Sequence, residues 1–259
     1  MGTSRLLFWI TNKSEQMITF ENLTKTYSGI KAVDNLNLHI EQGTIFGFIG
    51  PNGAGKTTTI KMMAGVLRPT KGHIYINGLD IAKAPSKVKK IIGFIPDRPF
   101  LYEKLSGVEF LRFKAGIYGM TGNRLGEKIL YLLNLFELSD WADELIESYS
   151  HGMKQRLIIA SAMIHEPRVI IVDEPMVGLD PRGAKLVKEM FKEWAGEGAT
   201  VFMSTHTLAL AQEVCHQIAI VDNGRIVASG TSEDLKKQAG VEGDLEKIFL
   251  KITGGVATK

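Results

Sequence analysis

Thr44-Ile45-Phe46-Gly47-Phe48-Ile49-Gly50-Pro51-Asn52-Gly53-Ala54-Gly55-Lys56-Thr57-Thr58 is the stretch on which the fold turns. Its first six residues are almost continuously apolar, the pattern of a strand covered on both faces. The next eight match G-x-x-x-x-G-K-[ST], the phosphate-binding P-loop pattern, and helix-period spacing continues over 56–67. Glycines let successive backbone N–H groups curl around a phosphate, and a helix N-terminus adds its positive dipole. Within this loop, Gly50, Pro51, Asn52, Gly53, Ala54, Gly55, Lys56, Thr57 and Thr58 are the candidate nucleotide-binding residues. Lys56 suits the β- and γ-phosphates, and the Thr57 hydroxyl suits Mg²⁺. A strand before and a helix after the loop set this reading above that of an ordinary Gly-rich turn.

Downstream, Val169-Ile170-Ile171-Val172-Asp173-Glu174 is a second apolar strand, ending in two acids. Lying parallel and beside the P-loop strand, it would deliver Asp173 to the same metal ion and Glu174 to the γ-phosphate, as general base for water. Taken alone, acids after a strand also serve to cap a following helix, and Pro175 suits a first helical position.

Other segments fill in the frame. Alternation over 17–20 and 36–40, with Ser28-Gly29 between, predicts antiparallel strands; 73–76 and 91–95 read as strands too. Strand signals vanish over about 99–165, where 108–118, 124–136 and 152–165 carry helical periods. After the acidic strand come a helix over 183–194 and a strand over 200–204. Then 218–221 and 225–228 form a hairpin through Asp222-Asn223-Gly224. The fold class is therefore α/β: a P-loop NTPase core with a mostly parallel sheet, an antiparallel β subdomain and an inserted helical subdomain. Residues 17–259 read as one domain. Residues 1–16, with the basic-then-apolar run Arg5-Leu6-Leu7-Phe8-Trp9-Ile10, read as a disordered N-terminal extension.

Composition sets bounds. The 31 Lys and Arg against 28 Asp and Glu leave a net charge of +3, too even to suggest nucleic acid. Cys215 is the sole cysteine, so no internal disulfide forms, as expected in a reducing compartment, and it reads as a small core filler. No run of about 18 apolar residues is present, so the expectation is a soluble protein. Met62 and Met63 read as packing residues, and Lys87-Val88-Lys89-Lys90 as a solvated face.

Tyr149-Ser150-His151-Gly152-Met153, just ahead of the acidic strand, resembles the Leu-Ser-Gly-Gly-Gln signature of ABC-transporter ATPases. Gly178-Leu179-Asp180 resembles that family's D-loop, Ser204-Thr205-His206 its switch histidine, and Tyr27 its adenine-stacking aromatic. The likeness spans about residues 17–250. It implies a head-to-tail pair of ATPase subunits, each ATP lying between one P-loop and the other subunit's Ser150, His151, Gly152 and Met153, with Asp180 in the D-loop. It implies ATP and Mg²⁺ as ligands, and catalysis by Glu174 assisted by His206. Separate transmembrane permease subunits would dock in a groove near 97–103. The chain would work on the cytoplasmic face of the cell membrane, held there through the permease.

The wording of the signature resembles efflux-type members. Two departures stand out. Asp97 replaces the usual glutamine, either contacting the metal or binding Arg98 or a helix terminus, and His151 and Met153 replace Gly and Gln. Two other readings are a soluble ABC ATPase outside transport and a nucleotide-binding scaffold with little turnover.

Overall fold

The computed structural model describes residues 16–254 apart from 99 and 242, so the expectation for the N-terminal extension falls almost wholly outside the described residues. The elements in chain order are β1 (Gln16–Tyr27), β2 (Ile30–Glu41), β3 (Ile45–Ile49), α1 (Lys56–Met63), β4 (Lys71–Ile76), β5 (Leu79–Asp80), α2 (Pro85–Lys89) and β6 (Ile92–Ile95). The helices α3 (Gly107–Ile117), α4 (Asn123–Leu135) and α5 (His151–Met163) come next. The chain continues as β7 (Val169–Asp173), α6 (Pro181–Gly196), β8 (Thr200–Thr205), α7 (Leu208–Val214), β9 (Gln217–Asp222), β10 (Arg225–Gly230), α8 (Ser232–Ala239) and α9 (Leu245–Ile252).

Two sheets result. One is antiparallel, in the order β2-β1-β4-β5; the other runs β10-β9-β3-β8-β7-β6, parallel except for the edge strand β10. The mixed α/β class is as the sequence indicates, with α3, α4 and α5 inserted between β6 and β7. One expectation fails in detail. β7 does not lie beside the P-loop strand: β8 sits between them, paired with β3 on one side and β7 on the other. Five-residue apolar runs look alike in sequence, so periodicity cannot rank neighbours within a parallel sheet.

The double-sided burial of that sheet explains its continuous apolar strands. In β7, Val169 and Ile171 face the antiparallel sheet and α1, while Ile170 and Val172 face the core formed with α3, α4, α5 and α6. Phe202 on β8 is fully buried between the sheets, its ring centroid 5.7 Å from Phe46, 5.3 Å from Phe48 and 6.1 Å from Phe20. Burying one such ring stabilises by about 1.5–3 kcal/mol, so this cluster fixes β3 against β8. Met62 and Met63 are buried in the same core, and Val88 anchors an otherwise exposed α2.

Helix α1 ends four residues short of its expected limit, and Gly65 then takes a left-handed φ of 64°. Both predicted hairpin turns form: Ser28-Gly29 and Asn223-Gly224 have positive φ at both central residues, as two-residue hairpins require. Helices α8 and α9 escaped the sequence reading although both carry caps. Thr231 and Asp234 make a capping box on α8, and the Asp244 side chain accepts from Lys247 N at α9.

Candidate functional site

The loop after β3 is shaped by what surrounds it. A Cβ on Gly50 would collide with the Val221 carbonyl oxygen, and one on Gly55, where φ is 99°, with that of Ala32. Gly53, at φ 82°, faces open space, where a phosphate can approach the backbone. The β9–β10 turn braces the loop from behind: Gly224 N donates to Ala54 O (3.1 Å), and Asp34 N on β2 donates to Gly224 O (2.8 Å). Lys56, 8% exposed, folds its ammonium back onto the carbonyls of Gly50 (2.8 Å) and Pro51 (3.1 Å). Burial holds that ammonium below its ordinary pKa, against the opposing pull of Glu174 and Asp173.

The acids arrive through the parallel register. Asp173 on β7 is opposite Ser204 on β8, whose hydroxyl donates to the Asp173 carboxylate. Asp173 is 4% exposed; burial raises its pKa, Ser204 and Thr57 hydrogen bonds lower it, and the charges of Asp97 and Glu174 raise it further. Glu174 lies just past the strand with φ 51°, a conformation that costs a non-glycine residue about 1–2 kcal/mol. Its backbone N–H is tied to Ser204 O (3.0 Å). One carboxylate oxygen accepts from His206 N (3.0 Å) and lies 2.7 Å from His206 Nδ1; the other accepts from Thr205 Oγ1 (3.1 Å). An ionised carboxylate only accepts, so Nδ1 carries the proton and Nε2 is left for a ligand. Neither Glu174 nor Pro175 starts a helix: α6 begins at Pro181, capped by Asp180, whose Oδ1 accepts from Gly183 N (2.9 Å).

These groups line one cavity of about 370 Å³, which brings Asn52, Gly53, Gly55, Lys56, Thr57 and Thr58 together with Asp97, Asp173, Glu174 and His206. Ala32 completes the wall, a residue with no signal in the sequence. Ser204 and Thr205, which orient the two acids, could have been found as hydroxyls ending the strand before His206. Asp97 is exposed, with Oδ1 accepting from Arg98 N (2.8 Å), so the Arg98 contact and a place in the cavity coexist. Other predicted residues stand apart. Tyr27, 47% exposed at the end of β1 with Lys25 Nζ 5.2 Å from its ring centre, does not line the cavity. Nor do Ser150, His151, Gly152 and Met153, at the start of α5, where the Ser150 hydroxyl caps the helix by accepting from Met153 N (3.3 Å).

The donor set suits Mg²⁺. Thr57 and Asp173 offer hard oxygen donors to the same cavity, and a second carboxylate, Asp97, lines it too. Among the described residues no group of three or more His, Cys, Asp or Glu side chains could hold a metal by itself.

The model of the ABC transporter family matches residues 33–177, more than half of the chain. The chain belongs to the ABC transporter family, as an ATP-binding subunit. It is 35% identical over 241 residues to the daunorubicin resistance ATP-binding protein DrrA3 of Streptomyces coeruleorubidus, covering 93% of this chain and 76% of that one. Among solved structures, an ATP-binding subunit of an ABC transporter is 34% identical with a TM-score of 0.86, over 92% of this chain and 99% of the other. The dimeric post-hydrolysis structure of the cassette MJ0796, bound to ADP and Pi, is 26% identical with a TM-score of 0.77, over 83% and 98%. The ABC ATPase fold thus accounts for both sheets and for the helices between β6 and β7.

Proposed function

We propose that this ABC subunit hydrolyses Mg-ATP at the β3–α1 cavity and powers export through separate transmembrane permease subunits. The observation that carries the reading is the Glu174–His206 pair, held 2.7 Å apart in the same cavity as Lys56 and Thr57. The loop amides and Lys56 bind the phosphates, with Lys56 turning from its two loop carbonyls to the β- and γ-oxygens. Thr57 and Asp173, with Asp97 at the rim, would hold Mg²⁺, which when bound neutralises phosphate charge. Glu174 takes the proton of the attacking water, and His206 holds Glu174 in place through Nδ1 while Nε2 contacts water or the γ-phosphate. Tyr27 stacks on the adenine from the hairpin edge.

In this reading 17–259 is one ATPase domain, with about 99–165 its helical insertion. The Ser150 hydroxyl and Gly152 amide, at the α5 N-terminus, close over the γ-phosphate of a second subunit's ATP. Binding therefore favours the dimer, and hydrolysis releases it. Among the described residues no helix is long and apolar enough to cross a membrane. The relatives are named as ATP-binding proteins or subunits of transporters, which supports permease subunits on other chains and attachment at the cytoplasmic face through them. Export is favoured by the drug-resistance relative. Size-exclusion chromatography with light scattering of Glu174→Gln tests the shared site: it runs as a monomer alone and a dimer with Mg-ATP. The additional change Lys56→Ala abolishes the shift. A Glu174→Gln protein that binds Mg-ATP yet remains monomeric at all concentrations overturns the proposal that its own signature completes the site.

A further inference from the structure

The turn from Glu174 to Asp180 packs against the N-terminus of α5. The His151 imidazole lies directly against Gly178: a Cβ on Gly178 would overlap both Cδ2 and Nε2 of that ring. A Cβ on Gly152 would lie 3.3 Å from the Gly178 carbonyl oxygen. Gly178 also has φ 81°, so its glycine is required twice, by the backbone and by the ring. Within the turn, Val177 N donates to Glu174 O (3.3 Å) and Leu179 N to Met176 O (3.2 Å), both long bonds. The packed imidazole is therefore one anchor of the turn, beside Met176 and Leu179, which pack against the core.

A second observation lies one helical turn further along α5. Gln155 is fully buried, yet neither its amide nitrogen nor its amide oxygen has a hydrogen-bond partner among the described residues. Residues four apart share a helix face, which puts Gln155 on the side that carries His151. A buried amide with both atoms unsatisfied costs stability. Such a cost is repaid when another arrangement of the surrounding backbone supplies the partners.

We propose that His151 is a positioning residue for Glu174: its ring braces the 175–180 turn, and Gln155 supplies hydrogen bonds to that turn when it shifts. The proposal rests on the assignment of Glu174 as general base. The left-handed backbone at Glu174 is held by the Ser204 carbonyl on one side and by the turn on the other. Loosening the turn lets the carboxylate drift from the water while the phosphate-binding loop, which leaves a different strand of the sheet, stays as it is. His151 is exposed at a helix start, so any subunit that covers that helix start presses directly on the brace.

The test uses the whole chain, with Mg-ATP turnover, nucleotide titration and hydrogen exchange measured on each variant. His151→Ala is expected to lower kcat at least ~10-fold with KM within about twofold, the signature of an interaction that matters only in the reaction step. Amides of 175–180 exchange faster, while those of 50–58 do not change. His151→Gln, which keeps a planar group of similar reach, recovers at least half of kcat. Gly178→Ala displaces the ring and also strains a backbone at φ 81°, so it loses at least as much, and His151→Ala/Gly178→Ala is no worse than Gly178→Ala, in which the ring contact is already lost. Gln155→Leu unfolds at the same or higher temperature and still loses turnover.

Unchanged kcat and exchange in His151→Ala, alongside an active wild type, overturn the brace. Additive losses in the double variant do so too, and a destabilised Gln155→Leu assigns that amide a purely structural role and overturns its part. A wild type that binds ATP without turnover instead overturns the catalytic assignment of Glu174 itself, so the two failures are distinct.

Discussion

Replacing Glu174 with Gln exchanges one carboxylate oxygen for an amide nitrogen and removes one charge, and the surrounding contacts set the consequences. One oxygen accepts from His206 N and is paired with Nδ1, at 3.0 and 2.7 Å; the other accepts from Thr205 Oγ1 at 3.1 Å. A Gln carbonyl keeps both His206 contacts. Its NH₂ donates to Thr205 Oγ1, which also accepts from Thr207 N (3.0 Å) and has a second lone pair to offer. The number of hydrogen bonds is preserved, and what is lost is charge assistance and the acceptor of the Thr205 hydroxyl proton, about 1 kcal/mol. For a chain of this size the unfolding midpoint moves by no more than about 4 °C. The proton acceptor is gone, however, which costs about 10²–10⁴ in kcat, or roughly 2.7–5.5 kcal/mol of barrier. Phosphate release at saturating Mg-ATP reads that loss, and nucleotide titration reads affinity, expected within about threefold of wild type. A Gln variant turning over within tenfold of wild type refutes the general-base assignment. A variant that melts far lower shows the carboxylate to be structural instead.

Three further outcomes rest on the same geometry. Gly55→Ala forces a side chain onto a φ of 99° and into the Ala32 carbonyl, so ATP affinity drops at least ~10-fold and the melting temperature falls, both readable by titration and thermal unfolding. Asp173→Asn abolishes Mg-dependent turnover yet raises the melting temperature of the nucleotide-free chain at neutral pH, because burial of the charge is relieved. The pH dependence has the matching sign. Burial raises the folded pKa of Asp173 above the ordinary 3.8, so this group's contribution to stability falls as pH rises from there through the folded value, and the Asn variant loses that slope. Cys215, with its thiol pushed up to about 12 by burial and its sulfur against Gly47, resists maleimide labelling at pH 8 until denaturant is added.

Much of this was written locally. The P-loop pattern, the acids at the end of an apolar strand and the Asn223-Gly224 turn each depend on residues within one short segment, where sequence spacing is spatial spacing. What the sequence could not show depends on segments brought together from afar. Ala32 walls the cavity because β2 passes the loop, and nothing in its own neighbourhood marks it. The place of β8 between β3 and β7 was equally hidden, since the three strands share one apolar character. That placement matters most for the chemistry: it makes Ser204 the partner of Asp173 and lets Thr205 and His206 grip Glu174.

Asp97 and His151 show the other limit, since both were visible as departures from a family pattern but neither could be interpreted without coordinates. Asp97 keeps its carboxylate at the cavity while one oxygen caps Arg98 N, so a residue read as either metal contact or local cap occupies a position that allows both. Its charge also helps to raise the pKa of Asp173, and two acids sharing a small cavity favour a divalent cation between them. His151 makes a contact that glycine, the family's usual residue there, has no side chain to make. The chain therefore differs from the family pattern at both positions, with an extra carboxylate at the cavity and an imidazole packed against the turn that follows Glu174. Each change is testable alone, and an Asp97→Gln chain that needs less Mg²⁺ for half-maximal turnover than wild type would contradict the first.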